Sequence, residues 1–233
     1  MTVSSQQTFR LKSFVIRGGR GTAAQVRAMR EAWPTTGIEL TAGMLDMVRV
    51  FGREAPTYLE IGFGSGQTLL AAAIEHPDKN FIGVETHRPG IGSLLMGVQQ
   101  HGVTNLRVFR VDVIDVLSQC IPDASLAGVQ IFFPDPWQKR RHHARRLIQP
   151  AFLQTISHKL KDGGSLHLAT DWDDYAAHML RVVSASPQFE NLAGAGHYGS
   201  RSPFRPLISK FEQRALEEGR VIRELQLVLS SRA

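Results

Sequence analysis

From Pro56 onward the chain alternates short apolar runs with longer stretches of helical spacing, and few architectures accommodate that order. TYLEIG (57–62), FIGVE (81–85), LRVFRV (106–111), AGVQIFF (127–133) and SLHLAT (165–170) read as strands. Between them, TLLAAAIEH (68–76), residues 91–101, a short stretch ending near Cys120, and LIQPAFLQTISHKL read as helices. Pro150 suits the first turn of the last of these, and Asp162-Gly163-Gly164 is expected to end it. WDDYAAHMLRVVSAS is a further helix. Strands alternating with helices of this length predict βαβ units and a mostly parallel sheet, an α/β fold.

The flanking regions differ from this core. Residues 1–55 lack strand alternation and read as an N-terminal arm packed on a main domain of residues 56–233. The arm holds a basic segment, KSFVIRGGRGTAAQ, then GIELTAGMLDMVRVFG, whose apolar residues suit a helix. After Pro187 come a Gly-, Ser- and Pro-rich loop (194–206), a capped helix in ISKFEQRALEEG and a final strand in VIRELQLVL (221–229). No apolar run is long enough to span a bilayer, and MTVSSQQTFRLKSF has no apolar core of a secretory signal. Cys120 is the one cysteine, so no internal disulfide forms and a reducing, cytoplasmic setting is expected. The nine His are scattered without metal-ligand spacing, and no metal is expected.

Glu60-Ile61-Gly62-Phe63-Gly64-Ser65-Gly66 follows the first of these strands and precedes a helix. Glycines at such a turn let the backbone approach a ligand closely. A dinucleotide loop needs its third glycine at position 67, where Gln67 stands, so the pyrophosphate fingerprint fails. Glu60 would repel a phosphate and attract a cation. Glu85 ends the second strand, where an acid accepts hydrogen bonds from a ribose diol, and Asp112 ends the third, where it meets the amine of adenine. A glycine loop with acids at three successive strand ends and no phosphate cradle suits S-adenosylmethionine.

FPDPWQKRRHHARRL follows the fourth strand. Pro134 and Pro136 restrict the backbone around Asp135. Five of the 27 Lys and Arg then crowd between Lys139 and Arg146, nearly the whole surplus behind a formal charge of +6. Such a focused patch attracts a polyanion, with nucleic acid the leading partner, although a solvated charged loop would look the same. Asp135 itself reads either as a turn residue or as a carboxylate at an active edge. Trp137 suits either base stacking or core packing.

Together these motifs resemble one family over nearly the whole chain: the bacterial tRNA (guanine-N7-)-methyltransferases. The resemblance rests on SFVIRGGR, YLEIGFGSG, FIGVETH, the acid of VDVIDVL, FFPDPWQKRRHHARRL, LATDWDDYAAHM and SKFEQR, of which the PDPW block is the most specific. It implies a Rossmann-like methyltransferase fold, a seven-stranded sheet with the last strand antiparallel, the missing strand lying in FENL near 189–192. It implies methyl transfer from S-adenosylmethionine to N7 of a guanine in the variable loop of tRNA. Position by position, cofactor residues match Glu60, Gly62, Gly64, Gly66, Glu85, Asp112 and Asp135, with Asp135 also the catalytic acid. Substrate residues match Lys139, Asp171, Ser209, Lys210, Phe211 and Glu212, and the neighbouring Arg140 and Arg141 are expected on tRNA phosphates. Gln138, Ala144, Thr86 and Ser209 depart from the family's usual proline, lysine, valine and threonine.

Rival readings remain at this level. A small-molecule methyltransferase would share the sheet and glycine loop but not the basic cluster. An amine-directed nucleic-acid enzyme often carries [DN]-P-P-[YF] where Asp135-Pro136-Trp137 stands. An RNA-binding protein with an inactive fold would have little reason to keep four cofactor acids. Ser209-x-x-Glu212 is also a capping box, in which Ser209 caps a helix and Glu212 reaches back to the cap. Guanine's Watson–Crick edge offers two donors that the Glu212 carboxylate would accept, with Ser209 serving mostly as the cap. Whether the chain is a monomer or a homodimer is open in the sequence.

Overall fold

The computed structural model describes residues 19–202, 205 and 207–231, and these residues build one eight-stranded sheet. In chain order the strands are β1 (Gly37–Ile38), β2 (Thr57–Ile61), β3 (Asn80–Val84), β4 (Leu106–Phe109), β5 (Leu126–Phe132), β6 (Leu160–Thr170), β7 (Phe189–Asn191) and β8 (Arg223–Leu229). The helices are α1 (Ala23–Thr36), α2 (Met47–Phe51), α3 (Gln67–Glu75), α4 (Arg88–His101), α5 (Val113–Gln119), α6 (Pro150–Lys159), α7 (Asp173–Ser184) and α8 (Lys210–Glu217). The spatial order is β1-β4-β3-β2-β5-β6-β8-β7. All pairings from β1 to β6 are parallel, and β8 runs antiparallel to both of its neighbours. The seven expected strands are β2 to β8, with FENL supplying β7. An eighth, Gly37–Ile38, pairs with β4 at the edge, too short to alternate in sequence.

Helices cover both faces, so the central strands have no wet side. Every residue of β3 is buried, which is why NFIGV reads as a continuous apolar run. On one face Ala28 and Ala32 of α1, Leu69 of α3 and Leu94 of α4 pack with Phe81 and Val108. On the other, Val116 of α5, Leu153 of α6 and Tyr175 of α7 pack with Leu59, Ile82 and Ile131. Leu59 is fully buried, and its truncation to alanine would cost about 2–5 kcal/mol.

Two local expectations change. Asp162-Gly163-Gly164 does not close α6, which ends at Lys159. The three residues lie inside β6, at the register shift where Leu126 pairs with Leu160 but Gly128 with Ser165. The segment GIELTAGMLDMVRVFG holds no long helix, only a 3-10 turn over Leu40–Ala42 and the five-residue α2. The long helix of this region is α1, opened by a reciprocal box in which Thr22 and Gln25 each accept from the other's backbone N–H, at 3.2 and 2.8 Å. Of the motif SFVIRGGR, residues 13–18 lie outside the described residues.

Candidate functional site

The connections from β2 run toward β3 and β4, while those from β5 run toward β6. Strand order therefore reverses between β2 and β5, and a cleft opens at their carboxyl ends. Its volume is about 530 Å³, within the range of a small-molecule site. Glu60, Gly62, Gly64, Glu85, Asp135, Arg205, Ser209 and Phe211 all line it.

The glycine loop forms one wall. Gly62, Gly64 and Gly66 have φ of 75°, 58° and 75°, a left-handed region that other residues enter at a cost. Gly64 donates its N–H to Glu85 Oε2 at 2.9 Å, while Glu85 Oε1 accepts from the N–H groups of Thr86 and His87 at 2.6 and 2.9 Å. One carboxylate thus ties the loop after β2 to the turn after β3. Gly90 makes this closeness sterically feasible: a Cβ there would lie 2.0 Å from the Gly64 carbonyl oxygen.

Glu60 sits at the cleft floor, 4% exposed, and its Oε2 has no hydrogen-bond partner among the described residues. Burial pushes its carboxyl up to about 8; the Arg205 charge opposes this shift and the Glu85 charge adds to it. An orphaned buried acid facing a cleft suits a cationic ligand that brings its own hydrogen-bond donors. A phosphate would meet the Glu85 carboxylate as a like charge. The donor and acceptor set therefore fits S-adenosylmethionine, whose amino acid, sulfonium, ribose and adenine carry no phosphate.

Asp135 lines the same cleft, half-buried, on a turn with two unusual backbone conformations. Phe133 and Trp137 take φ of 51° and 43° on either side of Pro134-Asp135-Pro136, each costing about 1–3 kcal/mol. Such a turn persists only if its surroundings hold it. Phe133 N–H donates to the Ala169 carbonyl at 2.8 Å, and Arg146 Nε donates to the Pro136 carbonyl at 2.9 Å. Arg146 is 2% exposed, pairs with Asp174 and lies over the Tyr175 ring. Its hydrogen bond holds the Asp174 carboxyl below the usual range.

The basic run therefore divides. Lys139, Arg140 and Arg141 are exposed at the start of a 3-10 turn over Arg140–Arg145. Arg145 stacks 4.1 Å over the Trp137 ring, and His142 meets the same ring edge-on. Arg146, expected among the phosphate-facing residues, is instead a buried brace for the Asp135 turn. Its distinction from Arg145 carries no local sequence signal, because only the fold sets which arginine points inward.

Other expected residues lie at or beyond the rim. Gly66 caps α3, and Asp112 caps α5 by accepting from Ile114 N–H at 3.0 Å; Val111 and Val113 beside it line the cleft. Asp171 pairs with Arg220 at 2.9 Å. Ser209 Oγ accepts from Glu212 N–H at 3.2 Å and so caps α8, while of Lys210 only the backbone is described. Phe211 is 60% exposed at the cleft mouth, close to Gly64. Glu212 does not complete the capping box and does not line the cleft. It is 2% exposed, and its Oε1 accepts from Arg205 at 2.7 Å and pairs with Arg201.

That pairing belongs to a buried network the sequence did not reveal. Arg205 also donates to Glu224 Oε1 at 2.8 Å, and Glu224 Oε2 meets His167 Nε2 at 2.6 Å. Burial pushes the Glu224 carboxyl up, but the His167 hydrogen bond and the Arg205 charge outweigh it and hold it low. The available signal was His167 inside the apolar run SLHLAT, a polar group where a strand is buried on both faces.

Residues 54–225 match the family model described as "Putative methyltransferase". A relative from Idiomarina loihiensis, named tRNA (guanine-N(7)-)-methyltransferase, is 50% identical over 93% of this chain and 88% of its own. One of the same name from Ectopseudomonas mendocina is 48% identical over 97% and 94%. The chain belongs to the tRNA (guanine-N(7)-)-methyltransferase family. Among solved structures, the 16S rRNA methyltransferase KamB superposes with a TM-score of 0.58 at 12% identity, covering 81% of this chain and 95% of that one. A 16S rRNA (adenine(1408)-N(1))-methyltransferase variant from Catenulisporales acidiphilia gives 0.55 at 12% identity, covering 83% and 92%. At that identity the likeness establishes the shared methyltransferase fold. Among the described residues no helix is long and apolar enough to cross a membrane.

Proposed function

We propose that this protein transfers a methyl group from S-adenosylmethionine to N7 of a guanine in tRNA, giving 7-methylguanosine. The observation that carries the reading is the convergence of Glu60, Glu85 and Asp135, from three strand ends, on one cleft whose wall runs directly into the exposed Lys139-Arg140-Arg141 turn. Family membership names the reaction, and this geometry supports the residue roles proposed for it.

The bound cofactor would supply an electrophilic methyl on a sulfonium. Glu60 would take its ammonium group and Glu85 its ribose hydroxyls. The glycine loop would lie against its amino-acid end, and Asp112 with Val111 and Val113 would border its adenine. N7 of neutral guanine carries a lone pair and no proton, so no general base is required. The lone pair would accept that methyl, sulfur would keep the electron pair of the broken C–S bond, and the base would take on the positive charge. Asp135, held by two prolines and braced by Arg146, would stabilise cationic character throughout that shift. The rest of the rate comes from alignment and water exclusion. Lys139, Arg140 and Arg141 would hold tRNA phosphates, which position the substrate without reading sequence. Phe211 at the mouth offers a stacking face for a base drawn out of its stack.

Incubation with methyl-labelled S-adenosylmethionine and unmodified tRNA, followed by nucleoside analysis, tests the reading. Label is expected in 7-methylguanosine; label in any other nucleoside, or in none, overturns it.

A further inference from the structure

Arg205 is 3% exposed and lines the same cleft as the floor acid Glu60. Its guanidinium sits 5.3 Å from the ring centres of both Phe132 and Phe133, at the end of β5 beside β2. Its Nη2 is committed to Glu212 and Glu224, but its Nε is buried with no partner among the described residues. Glu60 Oε2 is the matching orphan, a buried acceptor in the same cleft. The two side chains are close enough for the Arg205 charge to act on Glu60. An orphaned buried donor and an orphaned buried acceptor beside one cavity are costly separately and are satisfied together by one zwitterion.

We propose that Arg205 is a cofactor-specificity residue: its free Nε–H holds the carboxylate of the cofactor's amino-acid end while Glu60 holds the ammonium. This rests on the reading of the cleft as an S-adenosylmethionine site. The partners of Arg205 give it a second consequence. Glu212 lies on α8 and Glu224 on β8, and Arg201 links Glu212 to the Arg205 carbonyl at 3.1 Å through its own Nε. The same guanidinium that meets the carboxylate therefore anchors the segment carrying Ser209 and Phe211. Cofactor occupancy and the order of the substrate wall are joined through one side chain.

The test is calorimetric and needs no turnover. Affinities for S-adenosylmethionine and for decarboxylated S-adenosylmethionine are measured with the full-length protein, with Arg205→Lys, and with the charge-balanced double variant Arg205→Gln/Glu224→Gln. The double variant removes one buried charge of each sign, so the network stays neutral. The unaltered protein is expected to favour the carboxylate-bearing ligand by about 10- to 150-fold, the range of a hydrogen bond to a charged group. Both variants are expected to lose most of that preference while still binding the decarboxylated ligand. Equal affinity of the unaltered protein for the two ligands overturns the proposal, as does a variant that keeps the full preference. No binding of either ligand to the unaltered protein instead overturns the reading of the cleft itself.

Discussion

Gly64 donates its backbone N–H to the Glu85 carboxylate, so the glycine loop and the acid that ends the second expected strand form one unit. Glu85 has two tasks in consequence, holding the loop and presenting oxygens to a ribose. Glu85→Ala should lower cofactor affinity about 10- to 150-fold, the value of a charge-assisted hydrogen bond or more. It should also release the loop, which hydrogen exchange at the Gly64, Thr86 and His87 amides would register. Unchanged affinity by calorimetry in a folded variant would remove Glu85 from the cofactor site.

Two kinds of arginine sit in one short run, and they should respond differently to mutation. Arg140→Ala with Arg141→Ala should weaken tRNA binding and flatten its salt dependence, by about 0.7 in slope for each phosphate no longer neutralised on single-stranded segments. Arg146→Ala should leave that slope alone and lower stability by about 1–3 kcal/mol, because it orphans the Pro136 carbonyl and frees the strained turn. A salt slope altered by Arg146→Ala as much as by the double variant would dissolve the distinction.

The sequence showed those features that local pattern encodes. Parallel strands buried on both faces gave continuous apolar runs, so β2 to β6 were readable, and the glycine loop and Asp135 turn announced themselves by residue type and spacing. β1 was not readable, because two residues cannot display a period. Neither was α1 placed, since its role depends on docking against α4, a contact set by the fold. The Arg205 network was invisible for a related reason. His167 and Glu224 are 57 positions apart, and a polar residue in an apolar run marks a site without naming its partner; only antiparallel pairing of β6 with β8 brings the two together. Residue pairs set by topology leave little trace in a single sequence.

Glu60 gives a pH signature with a definite sign. Its carboxyl titrates at about 8 in the folded chain, raised by burial from an ordinary value of 4.5. Below 4.5 both folded and unfolded chains hold the proton, and the protonated acid favours folding in full. Between 4.5 and 8 the unfolded chain has lost its proton and the folded chain has not, so stability falls as pH rises, by up to about 1.4 kcal/mol per unit. Glu60→Gln removes this dependence. The melting-temperature gap between variant and parent should be small near pH 4.5, widen steadily up to pH 8 and then level off. A gap that stays constant across that range would mean Glu60 is charged in the folded protein throughout.

Asp135 should matter to turnover far more than to binding. Asp135→Asn preserves shape and the two flanking prolines but removes the charge facing the cleft. Single-turnover rates at saturating cofactor and tRNA should drop by about 100-fold or more, the scale of losing one preorganised electrostatic partner, with tRNA affinity changed little. A near-normal rate would take Asp135 out of the chemistry.

Phe211 and Glu212 are neighbours in sequence with opposite environments, and that difference separates reading the base from building the wall. Phe211 is exposed at the cleft mouth, so Phe211→Ala should change stability by no more than about 0.5 kcal/mol. If its ring stacks on the target base, kcat/KM for tRNA should fall about 5- to 150-fold, since base–aromatic stacking is worth about 1–3 kcal/mol. Cofactor affinity should not move. Glu212 is buried between Arg205 and Arg201, with one oxygen taken by both. Glu212→Gln should therefore lower stability by about 1–3 kcal/mol and weaken cofactor binding through Arg205, even without tRNA present. Ser209→Ala should cost about 0.5–2 kcal/mol through loss of the α8 cap alone. The decisive comparison is cofactor affinity without tRNA. A Glu212→Gln protein that binds cofactor normally, melts normally and yet fails to methylate would place its carboxylate on the guanine edge, with the arginine pairs giving way when the base enters.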